Sequence, residues 1–119
     1  MEERRRYIRI DLCTEVEYEI LPMGGVSLVA QSRNISEGGM CFLANRELKV
    51  SSILRLKFYF PDEQRSCIEC LGRVVWQRET EDGFLTGVEF REIDVDKQIK
   101  IGTFVLKFLQ ELKEYTKSC

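Results

Sequence analysis

Four arginines stand close together at the start of the chain: Arg4, Arg5, Arg6 and Arg9. A guanidinium group is a planar fork of N–H donors that fits two oxygens of a phosphate at once. Arg5 and Arg9 are four positions apart, so their side chains lie on one side of either an extended segment or a helical turn. This spacing suits a compact phosphate-bearing anion. A merely solvated tail is the alternative interpretation of the same residues.

A second polar stretch, Asn-Ile-Ser-Glu-Gly-Gly, covers residues 34–39. Asn34 and Ser36 are two positions apart, so on a strand they project from one side and offer donors and acceptors to a purine edge. Gly38 and Gly39 would let a ligand come close to the backbone. The alternative is a plain hairpin connection, in which glycine and serine serve only the local turn.

Residue types that catalysis and metal binding need are scarce. The chain has no histidine, which excludes a histidine-based triad, and the many glutamates alternate along the predicted strands as a solvated face does. Cys67 and Cys70 form a Cys-x-x-Cys pair, but positions three apart in a strand point to opposite faces. We therefore expect reduced, buried thiols, no metal site, no cofactor and no enzymatic activity.

Length and charge restrict the class of protein. A chain of 119 residues with 44% hydrophobic residues is expected to form one domain with one core. Its net charge of −2 argues against a protein that coats nucleic acid, since its positive charge is local. No run of 18 apolar residues is present and the N-terminus does not resemble a signal peptide, so we expect a cytoplasmic protein without membrane insertion.

Hydrophobic periodicity predicts a mainly β fold. In the segment Leu-Arg-Leu-Lys-Phe-Tyr-Phe, apolar residues alternate with others, as they do in a half-buried strand. Six short strands without intervening helices predict an antiparallel barrel or sandwich, and the barrel is preferred because its closure removes exposed edges. An amphipathic helix is predicted at about 94–117, capped by Asp94 or Asp96, and its apolar stripe is expected to pack on the barrel rather than on a partner. The predicted strands are 14–21, 26–35, 39–45, 53–60, 66–77 and 84–93.

Taken in order, Arg5-x-x-x-Arg9 and Asn34-x-Ser36-x-x-Gly39 resemble the paired signature of the PilZ domain, a bacterial receptor for cyclic di-GMP. The Gly-Arg-Val-Val-Trp segment at 72–76 and Gly-Val-Glu-Phe at 87–90 are similar to later strands of that family. The resemblance implies a six-stranded β-barrel with a C-terminal helix, and it covers nearly the whole chain.

The resemblance also implies roles for the signature residues. Arg5 and Arg9 would hold the phosphates and stack on guanine, Asn34 and Ser36 would read guanine edges, and Gly39 would permit close approach. Further contacts are predicted for Arg4, Arg6, Gly38 and Trp76, the last as an aromatic wall, with a core tryptophan as the alternative.

These assignments divide the chain into an arginine-rich arm (residues 1–13), expected to be flexible, and a barrel with its helix (residues 14–119). Cyclic di-GMP would order the arm over the barrel and create a surface that signals to a separate protein. Two alternatives stay open: a PilZ-like interaction adaptor that binds no nucleotide, and a small barrel that binds single-stranded nucleic acid. The acidic residues Glu15, Glu17 and Glu19 oppose the last alternative.

Overall fold

The computed structural model describes residues 8–22, 26–60 and 65–118, with side chains as far as residue 111. Within these ranges it contains seven β-strands followed by one helix. In chain order they are β1 (Ile10–Asp11), β2 (Glu15–Leu21), β3 (Leu28–Ser36), β4 (Gly39–Ala44), β5 (Ile53–Tyr59), β6 (Cys67–Thr80), β7 (Gly83–Glu92) and α1 (Val95–Ser118).

Six of the strands close into a barrel. Going around it, β2 pairs with β5, β5 with β6, β6 with β7, β7 with β4, β4 with β3 and β3 with β2, each pair antiparallel. Closure removes free strand edges, which would otherwise invite pairing with other chains. The predicted six-stranded antiparallel barrel with a C-terminal helix is confirmed.

Alternating apolar residues form the barrel core as their spacing predicts. Leu54, Leu56 and Phe58 on β5 are fully buried, and so are Val16 and Tyr18 on the neighbouring β2. Burial of one such side chain contributes roughly 1.5–3 kcal/mol relative to its exposure. The inward-facing half of each strand therefore supplies the main stabilisation of the barrel.

The short strand β1 was not predicted. Strands β1 and β2 pair with successive parts of β3: Ile10 pairs with Ile35 and Asp11 with Asn34, whereas Glu15 of β2 pairs with Gln31. A two-residue strand is too short to give a periodic pattern of its own. Its position nevertheless attaches the second half of the arm to the barrel.

Helix α1 begins where Asp94 caps it. Asp94 Oδ1 accepts a hydrogen bond from the Asp96 N–H at 3.0 Å, so Asp94 is the cap of the two predicted candidates. Ile101 and Val105 are buried in the core, which confirms that the apolar stripe packs on the chain's own barrel. The stripe residues Leu112 and Tyr115 lie beyond the described side chains. In the described part of the chain, no helix is both long and apolar enough to cross a membrane.

The cysteine pair lies within β6, as predicted. Cys70 is buried in the core cluster and Cys67 is half-buried near the start of the strand. Among residues 8–22, 26–60 and 65–118, no three cysteine, aspartate or glutamate side chains are grouped as a metal site would need. Both thiols are free.

Candidate functional site

The two signature stretches meet at Arg9 and Asn34. Arg9 Nη1 donates a hydrogen bond to Asn34 Oδ1 at 3.1 Å, although the residues are 25 positions apart. Both side chains are half-buried. The structure therefore brings one signature arginine to the polar end of β3. Arg4, Arg5 and Arg6 lie outside the described residues, so their predicted contacts stay predictions.

Arg9 is positioned by the residues that follow it. Ile10 and Leu12 are buried, with 4% and 8% of their surface exposed, and they anchor the chain to the core. The Leu12 N–H donates to the Arg33 carbonyl at 3.1 Å, while the buried Ser32 hydroxyl donates to the Leu12 carbonyl and accepts from the Thr14 N–H. Because every polar group named here is paired, the backbone just after Arg9 is held firmly.

Ser36 is occupied by its own turn. The hydroxyl accepts from the Gly38 N–H at 3.2 Å and donates to the Gly39 carbonyl at 3.5 Å, and only 4% of the residue is exposed. This is the local bonding by which serine stabilises a tight connection. Gly38 is fixed in addition through its carbonyl, which accepts from the Phe90 N–H at 2.9 Å. The contacts of Ser36 and Gly38 therefore agree with the interpretation of this stretch as a hairpin connection.

Gly39 lies where β4 passes close to the backbone of β7. A β-carbon at this position would overlap the Val88 carbonyl oxygen and lie 3.1 Å from the Glu89 α-carbon. Both neighbours are backbone atoms of a paired strand, so they cannot move aside cheaply. The glycine is required here by strand packing.

Four residues align across the outer surface of the barrel. Asn34 on β3 pairs with Cys41 on β4, Cys41 pairs with Gly87 on β7, and Gly87 pairs with Trp76 on β6. Directly paired residues share one face of a sheet. That face points outward, because the flanking Met40 and Phe42 belong to the core cluster. We call these four residues the Asn34 row.

Trp76 forms the far end of the Asn34 row. Its indole lies against the α-carbon of Gly87, where a β-carbon would overlap Nε1 and stand 2.9 Å from Cδ1. The side chain is 38% exposed, so the alternative of a core tryptophan is wrong. Neighbouring strands are about 4.8 Å apart, which puts the backbones of Asn34 and Trp76 roughly 14 Å from each other. Cys41 and Gly87 lie on the barrel between them.

The charges of three arginines act on the middle of this row. Burial raises the pKa of the Cys41 thiol, while the guanidinium groups of Arg9, Arg33 and Arg78 act on that pKa in the opposite direction. Arg33 and Arg78 were not among the predicted site residues. The available signal was that Arg78 follows Trp76 by two positions on one strand, and that Arg33 directly precedes Asn34. Neither fact is informative until the strand register is known.

Three other arginines on the barrel are paired with carboxylates. Arg55 pairs with Glu19 at 2.6 Å, and Arg73 and Arg91 pair with Glu89 at 3.0 and 3.4 Å. In the described part of the chain, neither Arg33 nor Arg78 forms a salt bridge with a carboxylate. Guanidinium groups without a carboxylate partner are suited to receive an anion.

Helix α1 contacts the turn of the second signature. Gln98 Nε2 donates to the Glu37 carbonyl at 3.4 Å, and the Glu37 side chain covers Gly102, whose added β-carbon would lie 2.6 Å from Glu37 Cδ. The turn that follows Asn34 is therefore packed against the helix. A change in the position of this turn would alter these contacts with α1.

The comparisons with known proteins agree with this architecture. The PilZ domain family model matches residues 3–107. No curated protein matches the chain in sequence.

Among solved structures, the chain superposes on the inhibitor of motility MotI/DgrA of Bacillus subtilis with a TM-score of 0.82 and 21% identity, covering 92% of this chain and 53% of that one. YcgR of Escherichia coli in complex with c-di-GMP gives 0.81 and 16% identity, covering 98% and 50%. The MrkH–c-di-GMP complex of K. pneumonia gives 0.76 and 18%, covering 94% and 54%.

The chain spans about half the length of these three proteins. The excised PilZ domain of YcgR with c-di-GMP, by contrast, is covered completely, with a TM-score of 0.73 and 14% identity over 98% of this chain. Identities this low speak for the fold, while the family match extends from the first signature into α1. The chain belongs to the PilZ domain family.

Proposed function

We propose that this chain is a receptor for cyclic di-GMP. The observation that carries the proposal is the 3.1 Å hydrogen bond between Arg9 and Asn34, which joins the two signatures at one end of the outward-facing Asn34 row. Three of the structural neighbours are complexes with c-di-GMP, which supports the choice of ligand. The PilZ domain is a receptor module rather than an enzyme, so the chain acts through binding.

Each residue of the site has a role in this proposal. Arg5 and Arg9 hold the phosphates with their planar forks and stack on guanine, and Asn34 reads a guanine edge. Trp76 provides the aromatic surface on which a purine stacks. Ser36 and Gly39 act through the turn and the strand packing described above, and Arg4, Arg6 and Gly38 remain candidates for additional contacts.

We further propose that ligand binding orders residues 1–7 over the Asn34 row. Four arginines repel one another, and the two negative charges of the ligand offset part of this repulsion. Ordering each residue costs about 1–2 kcal/mol, so the ligand contacts must exceed this sum before affinity is observed. The ordered arm and the outer face then form a surface for a separate downstream protein. The cytoplasmic location stays a prediction.

Calorimetric titration with cyclic di-GMP tests the ligand assignment. The protein should bind, and Arg9→Ala should weaken binding by about 10- to 100-fold, since a hydrogen bond to a charged group contributes roughly 1.5–3 kcal/mol. Arg9→Lys should recover only part of the loss, because an ammonium lacks the fork. Arg55→Ala is the matched control and should bind normally, because Arg55 pairs with Leu71, five residues along β6 from Trp76.

Two outcomes would redirect the proposal. A folded wild-type protein that shows no heat with cyclic di-GMP would favour the adaptor without nucleotide binding. A shifted band with single-stranded oligonucleotides at physiological salt would favour the nucleic-acid alternative. We expect no such shift. Protection of amides in residues 1–7 from hydrogen exchange, only in the presence of ligand, would support the ordering of the arm.

A further inference from the structure

Arg78 occupies a position that the two signatures do not include. It lies on β6 two residues after Trp76, and it pairs with Leu85, which in turn pairs with Leu43. Residues two apart on a strand share a face, so Arg78 stands on the same outer surface as Trp76, about 6.6 Å along the strand. It begins the row next to the Asn34 row.

Arg78 lies close enough to the middle of the site to act on it electrostatically. Its charge opposes the rise in the pKa of the Cys41 thiol that burial causes, although Cys41 lies on β4 and Arg78 on β6, with β7 between them. Arg78 is exposed, and in the described part of the chain it forms no salt bridge with a carboxylate, unlike Arg55, Arg73 and Arg91.

We propose that Arg78 is a specificity-determining residue that reads the guanine stacked on Trp76. This inference rests on the proposed receptor function and adds a residue to it. Guanine presents two adjacent acceptors, O6 and N7, and arginine is the side chain that binds both at once. A base stacked flat on the indole would direct one edge along the strand, toward the neighbouring row. Arg78 is the cationic fork in that row.

Electrostatics supports the same assignment. The charges of Arg9, Arg33 and Arg78 all act on one buried thiol, on a chain whose net charge is −2. Neighbouring like charges lower the stability of the free protein slightly, and in the described part of the chain no carboxylate pairs with Arg78 to offset this. An acceptor-rich, anionic ligand on this face would use all three groups. Arg78→Ala should therefore leave the melting temperature of the free protein unchanged or slightly higher.

The test combines protein variants with a modified ligand. Binding of cyclic di-GMP is compared with that of an analogue whose guanines carry carbon in place of N7, using the full chain. The wild type should prefer cyclic di-GMP about tenfold, within the range of one bidentate base contact. Arg78→Ala should bind cyclic di-GMP about tenfold more weakly and lose most of its preference over the analogue. Arg78→Lys should resemble Arg78→Ala.

The controls separate this inference from the function on which it rests. Arg55→Ala removes an equal charge far from the row and should keep both affinities within twofold of the wild type. If the wild type binds cyclic di-GMP but Arg78→Ala retains its affinity, or keeps the full preference over the analogue, the role of Arg78 is refuted and the receptor function stands. If Arg78→Lys binds cyclic di-GMP with wild-type affinity, Arg78 acts only as a long-range charge and does not read the base. A wild type that binds neither ligand refutes both proposals.

Discussion

Arg9 Nη1 and Asn34 Oδ1 are joined by a hydrogen bond of 3.1 Å that links β3 to the residues just before β1. The bond leaves the amide nitrogen of Asn34 as a donor while the oxygen is engaged. Arg9 is a fork with five N–H donors, so one bond to Asn34 leaves others for a ligand. The pair is thus a preformed part of a site rather than a blocked one.

A double-mutant cycle on this pair tests that view. We expect Asn34→Ala to weaken cyclic di-GMP binding by about 5- to 50-fold. It should also lower the free energy of unfolding by about 1 kcal/mol, the usual net contribution of one hydrogen bond. Because Arg9 loses its support in that variant, Arg9→Ala and Asn34→Ala should be less than additive in calorimetric affinity. Strict additivity would mean that Asn34 does not position Arg9.

Gly39→Ala distinguishes strand packing from ligand approach. A β-carbon would overlap the Val88 carbonyl oxygen, and overpacking against fixed backbone costs about 1–3 kcal/mol. We expect the melting temperature of the ligand-free protein to fall by roughly 8 °C. Thermal denaturation followed by circular dichroism measures this directly.

Gly102→Ala is the matched control for that experiment. Its new β-carbon would meet the flexible side chain of Glu37 instead of backbone, and alanine in a helix is favoured over glycine by about 1 kcal/mol. The melting temperature should stay level or rise. If Gly39→Ala melts like the wild type yet fails to bind cyclic di-GMP, the glycine serves the ligand and not the packing of β4 on β7.

Trp76 provides an intrinsic signal, because it is the single tryptophan of the chain. A purine stacked on a ring that is 38% exposed should change its fluorescence intensity by tens of per cent. Trp76→Ala should weaken cyclic di-GMP binding about 5- to 100-fold, and Trp76→Phe less, since stacking contributes about 1–3 kcal/mol per base. Calorimetric binding without any fluorescence change would place the ligand away from Trp76.

The strands and the helix could be predicted because their signals are local. Leu54, Leu56 and Phe58 alternate, and Ile101 and Val105 recur at helical spacing, and all five are buried. Periodicity of this kind reports the core whatever the topology.

The site could be predicted only in part, because it depends on register. The meeting of Arg9 with Asn34 needs the pairing of β1 with β3, and the position of Arg78 needs a bulge in β6 to put Trp76 opposite Gly87. Ser36 shows the reverse case. Its spacing from Asn34 suggested a shared ligand, whereas its hydroxyl is engaged in the local turn. A buried serine in a tight turn forms its hydrogen bonds with the local backbone, so they are not free for a ligand.

Stability should fall at alkaline pH because of Cys70. Burial raises the pKa of this thiol from 9.0 to about 12, so the folded protein keeps a proton that the unfolded chain releases. The contribution of Cys70 is therefore fully present below about pH 9 and is lost as the pH rises toward 12. Between pH 8 and pH 10 this one group should lower the free energy of unfolding by about 1.4 kcal/mol.

Cys70→Ala isolates this contribution in urea denaturation curves recorded at pH 8 and pH 10. The variant should be less stable than the wild type at pH 8, because a buried side chain is shortened, but its further loss at pH 10 should be smaller by about 1.4 kcal/mol. Val74→Ala, a truncation of a fully buried residue on the same strand, lowers stability without removing a titratable group and should keep the wild-type pH dependence. Equal losses in Cys70→Ala and the wild type would show that the thiol is more accessible to water than its burial in β6 implies.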